Sequence, residues 1–407
     1  MADVTVDPSG ERDVVVVGAG LLGLALAREL NRRDPSLSIA VLEKEEEVGF
    51  HQTGHSSGVI HAGIYYAPGS LKARLCVEGA RAMYELCEQR GVPFERCGKV
   101  IVALDESELP RLDELERRGI ANQVPGLRRI GADELRELEP HAAGIEALHS
   151  PATGIVDFRE VARAIARELG DAGIDVATGC AVTHVSAGSG RVRIAHARGA
   201  TAARFAIFCA GAWSDRLAMR AGAEPDPRIV PFRGQYLKLR PERRPLVRSL
   251  IYPVPDPELP FLGVHLTRHI SGEVLVGPTA LLALGRDAYR LGRIRPRDVA
   301  STLAWPGTWR MARRWWRTGV TELRYAASRA QLARAAARYV PALGRDDVET
   351  AFAGVRAQAL ARDGRLVDDF VFSRSERALH VRNAPSPAAT SALAIARMVA
   401  DEATRSF

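Results

Sequence analysis

The feature that most constrains the fold is the stretch DVVVVGAGLLGLALARELNRRDPSLSIAVLEKE, residues 13–45. Its run of four valines predicts a buried parallel strand, because both faces of such a strand are covered. Gly18, Gly20 and Gly23 follow in the spacing G-x-G-x-x-G, and the apolar pattern then turns helical through Leu30. This order of strand, glycine turn and helix predicts a Rossmann-type unit.

The three glycines have separate mechanical tasks in such a unit. Gly18 permits the tight turn, Gly20 lets backbone N–H groups reach a pyrophosphate at the helix N-terminus, and Gly23 lets helix and strand pack closely. A second predicted strand, residues 38–42, ends at Glu43, twenty residues after Gly23. A carboxylate there is expected to accept a hydrogen bond from an unphosphorylated ribose, which disfavours NADP. Glycine turns also occur where a strand only packs against a helix. The complete order of strand, glycine turn, helix, second strand and acidic residue nevertheless favours dinucleotide binding.

Two observations favour FAD over NAD. The glycine unit lies near the start of the chain, and a second buried strand, RFAIFCAGAWSD, ends in Ala210 and Gly211. The C-terminal sequence NAPSPAAT places Ser386 as an N-cap and Pro387 as the first residue of a helix. The N-terminus of that helix would stabilise the negative N1–C2=O2 edge of a reduced flavin. An ordinary helix that only docks on the core is the alternative.

The composition is that of a globular protein, with 46% hydrophobic and 26% charged residues. At 407 residues the chain is about twice the usual length of one domain, which favours one large or two interleaved domains. No segment approaches the roughly 18 to 20 apolar residues of a membrane span, and the polar N-terminus lacks the order of a signal peptide. The sequence therefore predicts a cytoplasmic protein.

The five cysteines are odd in number, irregularly spaced and without a C-x-x-C pair. This pattern predicts reduced thiols and neither disulfides nor a metal site. The net charge of +7 favours an anionic substrate, an anionic lipid or nucleic acid as a partner, but a solvated basic surface agrees with it equally well. No base-reading or RNA-stacking motif accompanies the charge, so no nucleic-acid partner is expected.

The predicted segments alternate between two kinds of unit, which indicates an α/β fold with interleaved domains. Between residues 229 and 277, short strand-like segments separated by Pro and Gly turns predict an antiparallel sheet. The expected units are a Rossmann-type FAD-binding domain of residues 1–90, 150–225 and 345–407, and a substrate-binding cap domain of residues 91–149 and 226–344 with a helical insert.

Residues 306–318, PGTWRMARRWWRT, predict a helix with a basic, aromatic surface. Pro306 suits its first turn. One stripe carries Trp309, Ala312 and Trp316, and the adjacent stripe carries Arg310, Arg313, Arg314 and Arg317. Such a helix can lie on a membrane surface and contact anionic lipid, or it can cover its own core while its arginines reach water. The sequence leaves both alternatives open.

A polar, glycine-rich stretch, HQTGHSSGVIHAGIYYAPGSLKARLC, occupies residues 51–76 and has neither a helical nor a strand period. Its position after the glycine unit indicates a connector from a nucleotide site to a reaction site. His61 is the first candidate for a general base, because an ordinary histidine has a pKa of about 6.5, and His265 is the second. A histidine that is only bonded in a turn or sheet is the alternative for each. His51 and His55 are expected to support the loop or to contact a flavin.

With these residues in place, the chain resembles the FAD-dependent oxidoreductases of the D-amino-acid oxidase and glycerol-3-phosphate dehydrogenase superfamily. Within it, the resemblance is to the L-2-hydroxyglutarate oxidases and dehydrogenases. It covers essentially the whole chain, and its most specific part is residues 51–79. Two positions depart from the pattern: Ser56 stands where the family more often has Asn, and Gln235 where it often has an acid. Further matching motifs are CGKVIVA, TGIVDF, FRGQYLKL, PFLGVHLTR, VGP, GVRAQAL and NAPSPAAT.

The resemblance implies a bound FAD and oxidation of L-2-hydroxyglutarate to 2-oxoglutarate, with electrons passed to a quinone or to oxygen. Quinone-linked relatives are commonly associated with a membrane, which implies peripheral contact with the inner face of the cell membrane. Two substrate carboxylates require guanidinium or hydroxyl partners, and the candidates are Arg233, Arg268, Arg356, Tyr65 and Tyr66. The residues expected to contact FAD are Gly18, Gly20, Leu21, Leu22, Gly23, Glu43, Lys44, Thr53, His55, Ser56, Ser57, Gly58, Val182, Ala210, Gly211, Gly354, Arg356, Pro385, Ser386, Pro387 and Ala388.

Other functions stay open on the sequence alone. One alternative is an amine or amino-acid oxidase of the glycine or sarcosine type, or a glycerol-3-phosphate-type dehydrogenase, from the same superfamily. A second is a flavin-bearing binding or redox-sensing protein without turnover. The flavin is expected to be noncovalent, since no cysteine falls at an expected attachment position.

Overall fold

A computed structural model of the protein describes residues 9–405, apart from 189, 258 and 260. The first eight residues of the polar N-terminal segment, and Pro260 at the start of the motif PFLGVHLTR, lie outside the described residues. In chain order the strands are β1 (Gly10–Val17), β2 (Ile39–Leu42), β3 (Val59–Ile60), β4 (Phe94–Glu95), β5 (Lys99–Ala103), β6 (Arg128–Gly131), β7 (Glu146–Ser150), β8 (Gly154–Val156), β9 (Asp175–Ala177), β10 (Val182–Gly188), β11 (Arg191–His196), β12 (Gly199–Phe208), β13 (Arg228–Leu239), β14 (Leu250–Pro253), β15 (His265–Arg268), β16 (Val274–Gly277), β17 (Leu281–Leu282), β18 (Val348–Leu360), β19 (Val371–Ser375) and β20 (Ala378–Asn383). The α-helices are α1 (Leu21–Arg33), α2 (Leu71–Arg90), α3 (Leu109–Ala121), α4 (Ala132–Leu138), α5 (Phe158–Asp171), α6 (Ser214–Arg220), α7 (Pro296–Leu303), α8 (Pro306–Ala327), α9 (Arg329–Ala337) and α10 (Ala392–Ala403).

The first sheet forms around β1, whose four valines are buried. β1 pairs in parallel with β2 on one side and with β12 on the other, in the order β10-β11-β12-β1-β2-β9. β20 adds in parallel to β12, so a C-terminal strand completes the sheet that the N-terminal strand begins. Leu24, Leu26 and Leu30 of α1 lie in the core that this helix shares with α5 and α10. The predicted Rossmann-type unit is confirmed.

The second sheet follows the order β17-β13-β16-β15-β14-β5-β7-β6, with the long strand β18 also paired to β13. Its pairings are antiparallel except that of β5 with β14, which is parallel. A third, small sheet joins β3, β8 and β4. The predicted fold class, a Rossmann-type unit interleaved with a cap built on a largely antiparallel sheet, is confirmed.

The sheet pairings of β18 concern the predicted domain boundary at residue 345. A boundary at residue 345 assigns β18 to the FAD-binding domain. The structure instead pairs β18 with β13 along its length, from Val348 opposite Leu239 to Leu360 opposite Arg228. The partner of a strand is decided by tertiary packing, which the local sequence of β18 does not reveal. The domain division as a whole stays a prediction.

The predicted basic, aromatic helix is α8. The tryptophans in and directly before it fall into two groups that differ in solvent exposure. Trp305, directly before α8, is 2% exposed, whereas Trp309 and Trp316 are 61% and 59% exposed. Trp309 and Trp316 therefore do not pack on the core. For these two side chains, the alternative that the helix covers its own core is wrong. Within the described part of the chain, no helix has both the length and the apolar character that crossing a membrane requires.

Candidate active site

A cleft of about 600 Å³ opens at the carboxyl ends of β1 and β2 and extends to β13 and β18. Its volume is typical of small-molecule sites, and open α/β sheets bind ligands at this edge. All of the residues predicted to contact FAD line this cleft, with the exception of Pro385. They come from segments far apart in the sequence, so the fold brings them together.

The three glycines of the first turn differ in what surrounds them. A Cβ on Gly18 would lie 2.5 Å from the Cys209 carbonyl oxygen, and one on Gly23 would lie 1.9 Å from the Gly18 carbonyl oxygen. The chain's own packing therefore requires both glycines. A Cβ on Gly20 would meet nothing closer than Thr53 Oγ1 at 3.5 Å. Its glycine leaves open space at the N-terminus of α1, where backbone N–H groups favour an anionic group.

Glu43 is held at the end of β2 by backbone groups. Its Oε2 accepts a hydrogen bond from the Ala19 N–H at 2.8 Å, and its Oε1 accepts one from the Glu45 N–H at 3.0 Å. Burial raises the pKa of this carboxyl despite those bonds. The two bonds fix the carboxylate at the cleft, in the position expected for a ribose contact. The neighbouring Lys44 lies over the Trp213 ring at 3.8 Å.

The C-terminal segment reaches the cleft, but its helix begins later than predicted. α10 begins at Ala392 with Ser391 as its N-cap, so Ser386 is not the N-cap and Pro387 is not its first residue. Residues 385–391 turn instead, since the Ala388 N–H donates to the Pro385 carbonyl and the Ser391 N–H to the Pro387 carbonyl, both at 2.9 Å. The helical stripe of the sequence does not reveal this preceding turn.

The histidines at the start of the polar stretch hold the loop. His51 Nε2 lies 2.7 Å from Glu45 Oε1, and His51 Nδ1 lies 2.9 Å from Tyr289 Oη. His55 Nδ1 contacts the Phe50 carbonyl at 2.9 Å, and its ring stacks on Tyr289 with centroids 3.9 Å apart. Both histidines also line the cleft, which agrees with the two roles predicted for them.

His61 lines the cleft at the C-terminal segment. Its backbone N–H donates to Thr390 Oγ1 at 3.1 Å, and the Thr390 hydroxyl contacts the Val59 carbonyl at 3.3 Å. His61 Nδ1 is buried and has no hydrogen-bond partner among the described residues. Burial, reinforced by Lys99 and His265, lowers the pKa of His61 to about 3. The imidazole is therefore neutral at physiological pH.

His265, the second candidate base, lies close enough to His61 to affect its pKa but does not line the cleft. Its Nδ1 is 2.8 Å from the Gly263 carbonyl oxygen, which assigns the ring proton to Nδ1, and its ring lies 4.1 Å from that of Tyr252. Burial lowers the pKa of His265 to about 4, with Arg356 contributing. The structure brings both predicted histidines to one end of the cleft.

Lys99, at the start of β5, is a further residue of this cluster that the sequence did not single out. Its side chain is 1% exposed, and its Nζ lies 4.5 Å from the Tyr65 ring centroid and 5.1 Å from that of Tyr252. Burial lowers the pKa of Lys99 to about 7. Within β5 it shares a face with the buried Ile101. A lysine on the apolar face of a buried strand is the signal that indicates it.

The three arginines predicted to bind substrate occupy different environments. Arg356 lines the cleft, where its guanidinium lies 4.8 Å from the Phe261 ring, and it has no ion pair among the described residues. Arg268 pairs with Glu95 at 2.8 Å away from the cleft, and Arg233 is buried and bonded to Gln235. Neither Arg233 nor Arg268 lines the cleft, and their substrate roles stay predictions.

Neither Tyr65 nor Tyr66 lines the cleft. Tyr65 Oη is buried and has no hydrogen-bond partner among the described residues. Tyr66 bonds to Ser386, and burial raises its pKa well above the ordinary value. No group of metal-binding side chains occurs among the residues that the structure describes. The cysteines are unpaired.

Comparison with known sequences identifies the protein family of this chain. The sequence profile of the family described as FAD dependent oxidoreductase matches residues 13–402. The chain belongs to this family. Family membership and the cleft together identify FAD as the cofactor. The residues fit it: Gly20 leaves space at the N-terminus of α1, and Glu43 is fixed where a ribose contact is expected.

Several members of this oxidoreductase family are similar to the chain over nearly their full length. L-2-hydroxyglutarate dehydrogenase, mitochondrial, of Nematostella vectensis is 47% identical, across 99% of this chain and 93% of its own. The human protein of the same name is 45% identical, across 97% and 89%. L-2-hydroxyglutarate dehydrogenase of Indibacter alkaliphilus is 44% identical, across 97% and 99%.

Solved structures of related oxidoreductases have the same fold. Dithionite-reduced L-alpha-glycerophosphate oxidase of Mycoplasma pneumoniae with FAD bound has a TM-score of 0.78 at 25% identity, covering 97% of this chain and 94% of its own. Glycine oxidase of Geobacillus kaustophilus has a TM-score of 0.72 at 20% identity, covering 98% and 96%. The architecture is thus shared by enzymes whose names give different substrates.

Proposed function

We propose that this protein oxidises L-2-hydroxyglutarate to 2-oxoglutarate. In this reaction the hydroxyl group loses its proton, C2 loses a hydrogen with two electrons, and the C2–O bond becomes a carbonyl. When bound, FAD supplies the acceptor for the hydride from C2. The observation that carries the proposal is the full-length similarity to L-2-hydroxyglutarate dehydrogenases from animals and a bacterium.

In this proposal His61 accepts the hydroxyl proton of the substrate. Its side chain lines the cleft, and its low pKa leaves a nitrogen lone pair free at neutral pH. Two substrate carboxylates bring negative charge into the site, which raises the pKa of His61 toward that of an effective base. His265 is the second candidate, held behind His61 by its bond to the Gly263 carbonyl.

The charged and backbone groups of the cleft complete the proposed site. Arg356 binds a substrate carboxylate, since its guanidinium lies at the cleft and has no acidic partner there. Tyr65 and Tyr66 serve as hydroxyl donors at the same end. Glu43 accepts from the ribose of FAD, and the N-terminus of α1 at Gly20 holds the pyrophosphate.

The acceptor of the electrons is proposed to be a membrane quinone, with oxygen as the alternative. The support is α8, whose exposed side chains include Trp309, Trp316, Val320 and Leu323. The helix kinks at Trp315, and Trp316, Val320 and Leu323 share one side of the part after the kink. Arginines border that face, as in helices that lie at the surface of anionic membranes. The proposed location is the cytoplasm, with peripheral contact to the inner face of the cell membrane.

Anaerobic reduction of the flavin tests the substrate. The holoprotein is mixed without oxygen with L-2-hydroxyglutarate, glycine, sarcosine or glycerol 3-phosphate, and the loss of flavin absorbance is followed. L-2-hydroxyglutarate is expected to reduce the flavin fastest by at least about 100-fold in kcat/KM, because the other three compounds lack one of its charged groups or its geometry. Faster reduction by an amine or by glycerol 3-phosphate would assign the protein to that branch of the family. Failure of all four would favour a binding or sensing protein.

A further inference from the structure

Lys99 is a buried lysine whose Nζ has no acidic partner in the described part of the chain, and burial lowers its pKa to about 7. Among the described residues its Nζ makes no ion pair and no hydrogen bond. Its cation–π contacts are with the rings of Tyr65 and Tyr252. An unpaired buried ammonium destabilises a fold by several kcal/mol in general, so such groups usually meet a partner. By contrast Lys72, which is similarly buried, pairs with Asp368 at 2.6 Å.

Two further polar atoms beside Lys99 also lack partners. His61 Nδ1 and Tyr65 Oη are both buried without a hydrogen bond among the described residues. Lys99 is near enough to His61 to lower its pKa, and Tyr65 lies directly under the ammonium group. Buried polar groups in native structures are nearly always satisfied. One anionic group placed among them would satisfy the ammonium and the hydroxyl together.

The site holds a second cation without an acidic partner, Arg356, which lines the cleft. Both Arg356 and Lys99 lie close enough to His265 to lower its pKa, so the two cations flank one small region. A carboxylate bound beside Lys99 favours the protonated form of the lysine, so Lys99 and Arg356 together offer two positive charges to a dicarboxylate. A substrate with a single carboxylate, such as glycine or sarcosine, would leave Lys99 without an anionic partner, which disfavours it.

We infer that Lys99 binds the second carboxylate of a dicarboxylate substrate, while Arg356 binds the first, and that Lys99 thereby determines the preference for a dicarboxylate. The assignment rests on the proposed function. Lys99 thus has a role in substrate specificity, because the carboxylate that it binds lies at the far end of the substrate from the reacting C2.

The test compares Lys99→Met with Lys72→Met in the holoprotein. Each variant is reduced anaerobically by L-2-hydroxyglutarate and by L-2-hydroxyvalerate, which has the same carbon chain but no second carboxylate. Lys99→Met is expected to lower kcat/KM for L-2-hydroxyglutarate by about 100-fold and to change that for L-2-hydroxyvalerate by less than about threefold. Lys72→Met removes another buried lysine, one that pairs with Asp368, and is expected to leave the ratio of the two values as in the wild type.

Binding without turnover gives an independent measurement. Glutarate and valerate are titrated against the flavin absorbance of each protein, and Lys99→Met is expected to weaken glutarate alone, again by about 100-fold. Lys99→Gln serves in the same assays if the Met variant fails to fold. Equal losses for both acids would overturn the assignment. If the wild type ignores L-2-hydroxyglutarate, the proposed function fails, while selective loss of glutarate binding in Lys99→Met still supports the anion site.

Discussion

Burial changes the chemistry available to His61. An exposed histidine would be half protonated near pH 6.5 and would lose its function as a base below that pH. The pKa of His61 is lowered to about 3 by burial, by Lys99 from β5 and by His265 from β15, while Cys76 of α2 donates to its backbone carbonyl at 3.3 Å. The free protein therefore keeps this base neutral at physiological pH.

This state of His61 predicts an unusual pH profile. Because the base has a pKa of about 3, kcat/KM for L-2-hydroxyglutarate is expected not to fall from pH 7 to pH 5. It is expected to rise by no more than about twofold, as Lys99 with its pKa of about 7 becomes fully protonated. His61→Ala is expected to lower kcat by about 100-fold or more while FAD stays bound, since general-base catalysis contributes that much. Stopped-flow reduction across pH 5–8 and FAD release on ultrafiltration measure both effects. A decline in kcat/KM centred near pH 6.5, or near-normal turnover in the variant, would exclude His61 as the base.

Individual site residues differ in how far the sequence could locate them. Gly18, Gly23 and Glu43 were predictable because strand, turn and helix leave one arrangement for each of them. Arg268 was not, because its guanidinium pairs with Glu95, which is 173 residues away in the chain. A sequence rich in arginine gives no sign of which guanidinium groups are already paired in the folded protein.

At the scale of elements, α8 has an apolar face that is turned away from the core. Trp309 Nε1 donates to the Leu303 carbonyl at 2.8 Å, so the first exposed tryptophan lies against the end of α7. Trp316 and Leu323 are exposed on the part of α8 that follows its kink at Trp315. The helical period of the apolar residues and the pattern of charges predict the helix itself. They do not predict whether its apolar face packs on the core or is exposed to solvent. In the same way, the apolar stripe of α10 can be predicted from the sequence, whereas the start of this helix at Ala392 cannot.

The exposed face of α8 makes membrane binding measurable. The holoprotein is expected to co-float with vesicles that contain anionic lipid and much less with zwitterionic vesicles, since both the tryptophans and the arginines contribute. The double change Trp309→Ala and Trp316→Ala is expected to reduce binding to anionic vesicles by about tenfold, because two interfacial aromatic rings are lost. Ile120→Ala, at an equally exposed apolar residue on α3, serves as the control. If the wild type stays with the soluble fraction under both lipids, the membrane contact is wrong.

At the scale of the whole molecule, the chain crosses repeatedly between its two larger sheets. β20 completes the first sheet after β18 has completed the second, and α10 packs against α1 from the opposite end of the chain. The alternation of segment types made this interleaving predictable in outline. The pairing of β18 was not predictable, because it depends on contacts with β13 more than a hundred residues earlier.

A buried ion pair joins the loop after β17 to α6. Arg286 and Asp215 are 2% and 1% exposed, and Arg286 Nη2 lies 2.9 Å from Asp215 Oδ2. Arg286 also bonds to the Ala212 carbonyl, and Asp215 Oδ2 accepts from the Ile229 N–H at 3.1 Å. The pair thus connects the region after the second sheet to the helix that packs on the first. Removal of one partner leaves the other charge buried and unpaired.

Arg286→Met is therefore expected to lower the free energy of unfolding of the holoprotein by about 3 to 5 kcal/mol. Arg293→Met, seven residues along, breaks a half-exposed pair with Asp287 and is expected to cost less than about 1 kcal/mol. Adding Asp215→Asn to Arg286→Met should restore part of the loss, because the uncompensated carboxylate disappears. Urea unfolding followed by circular dichroism compares the four proteins. Equal stability of Arg286→Met and Arg293→Met would show that the buried pair does not hold the two regions together.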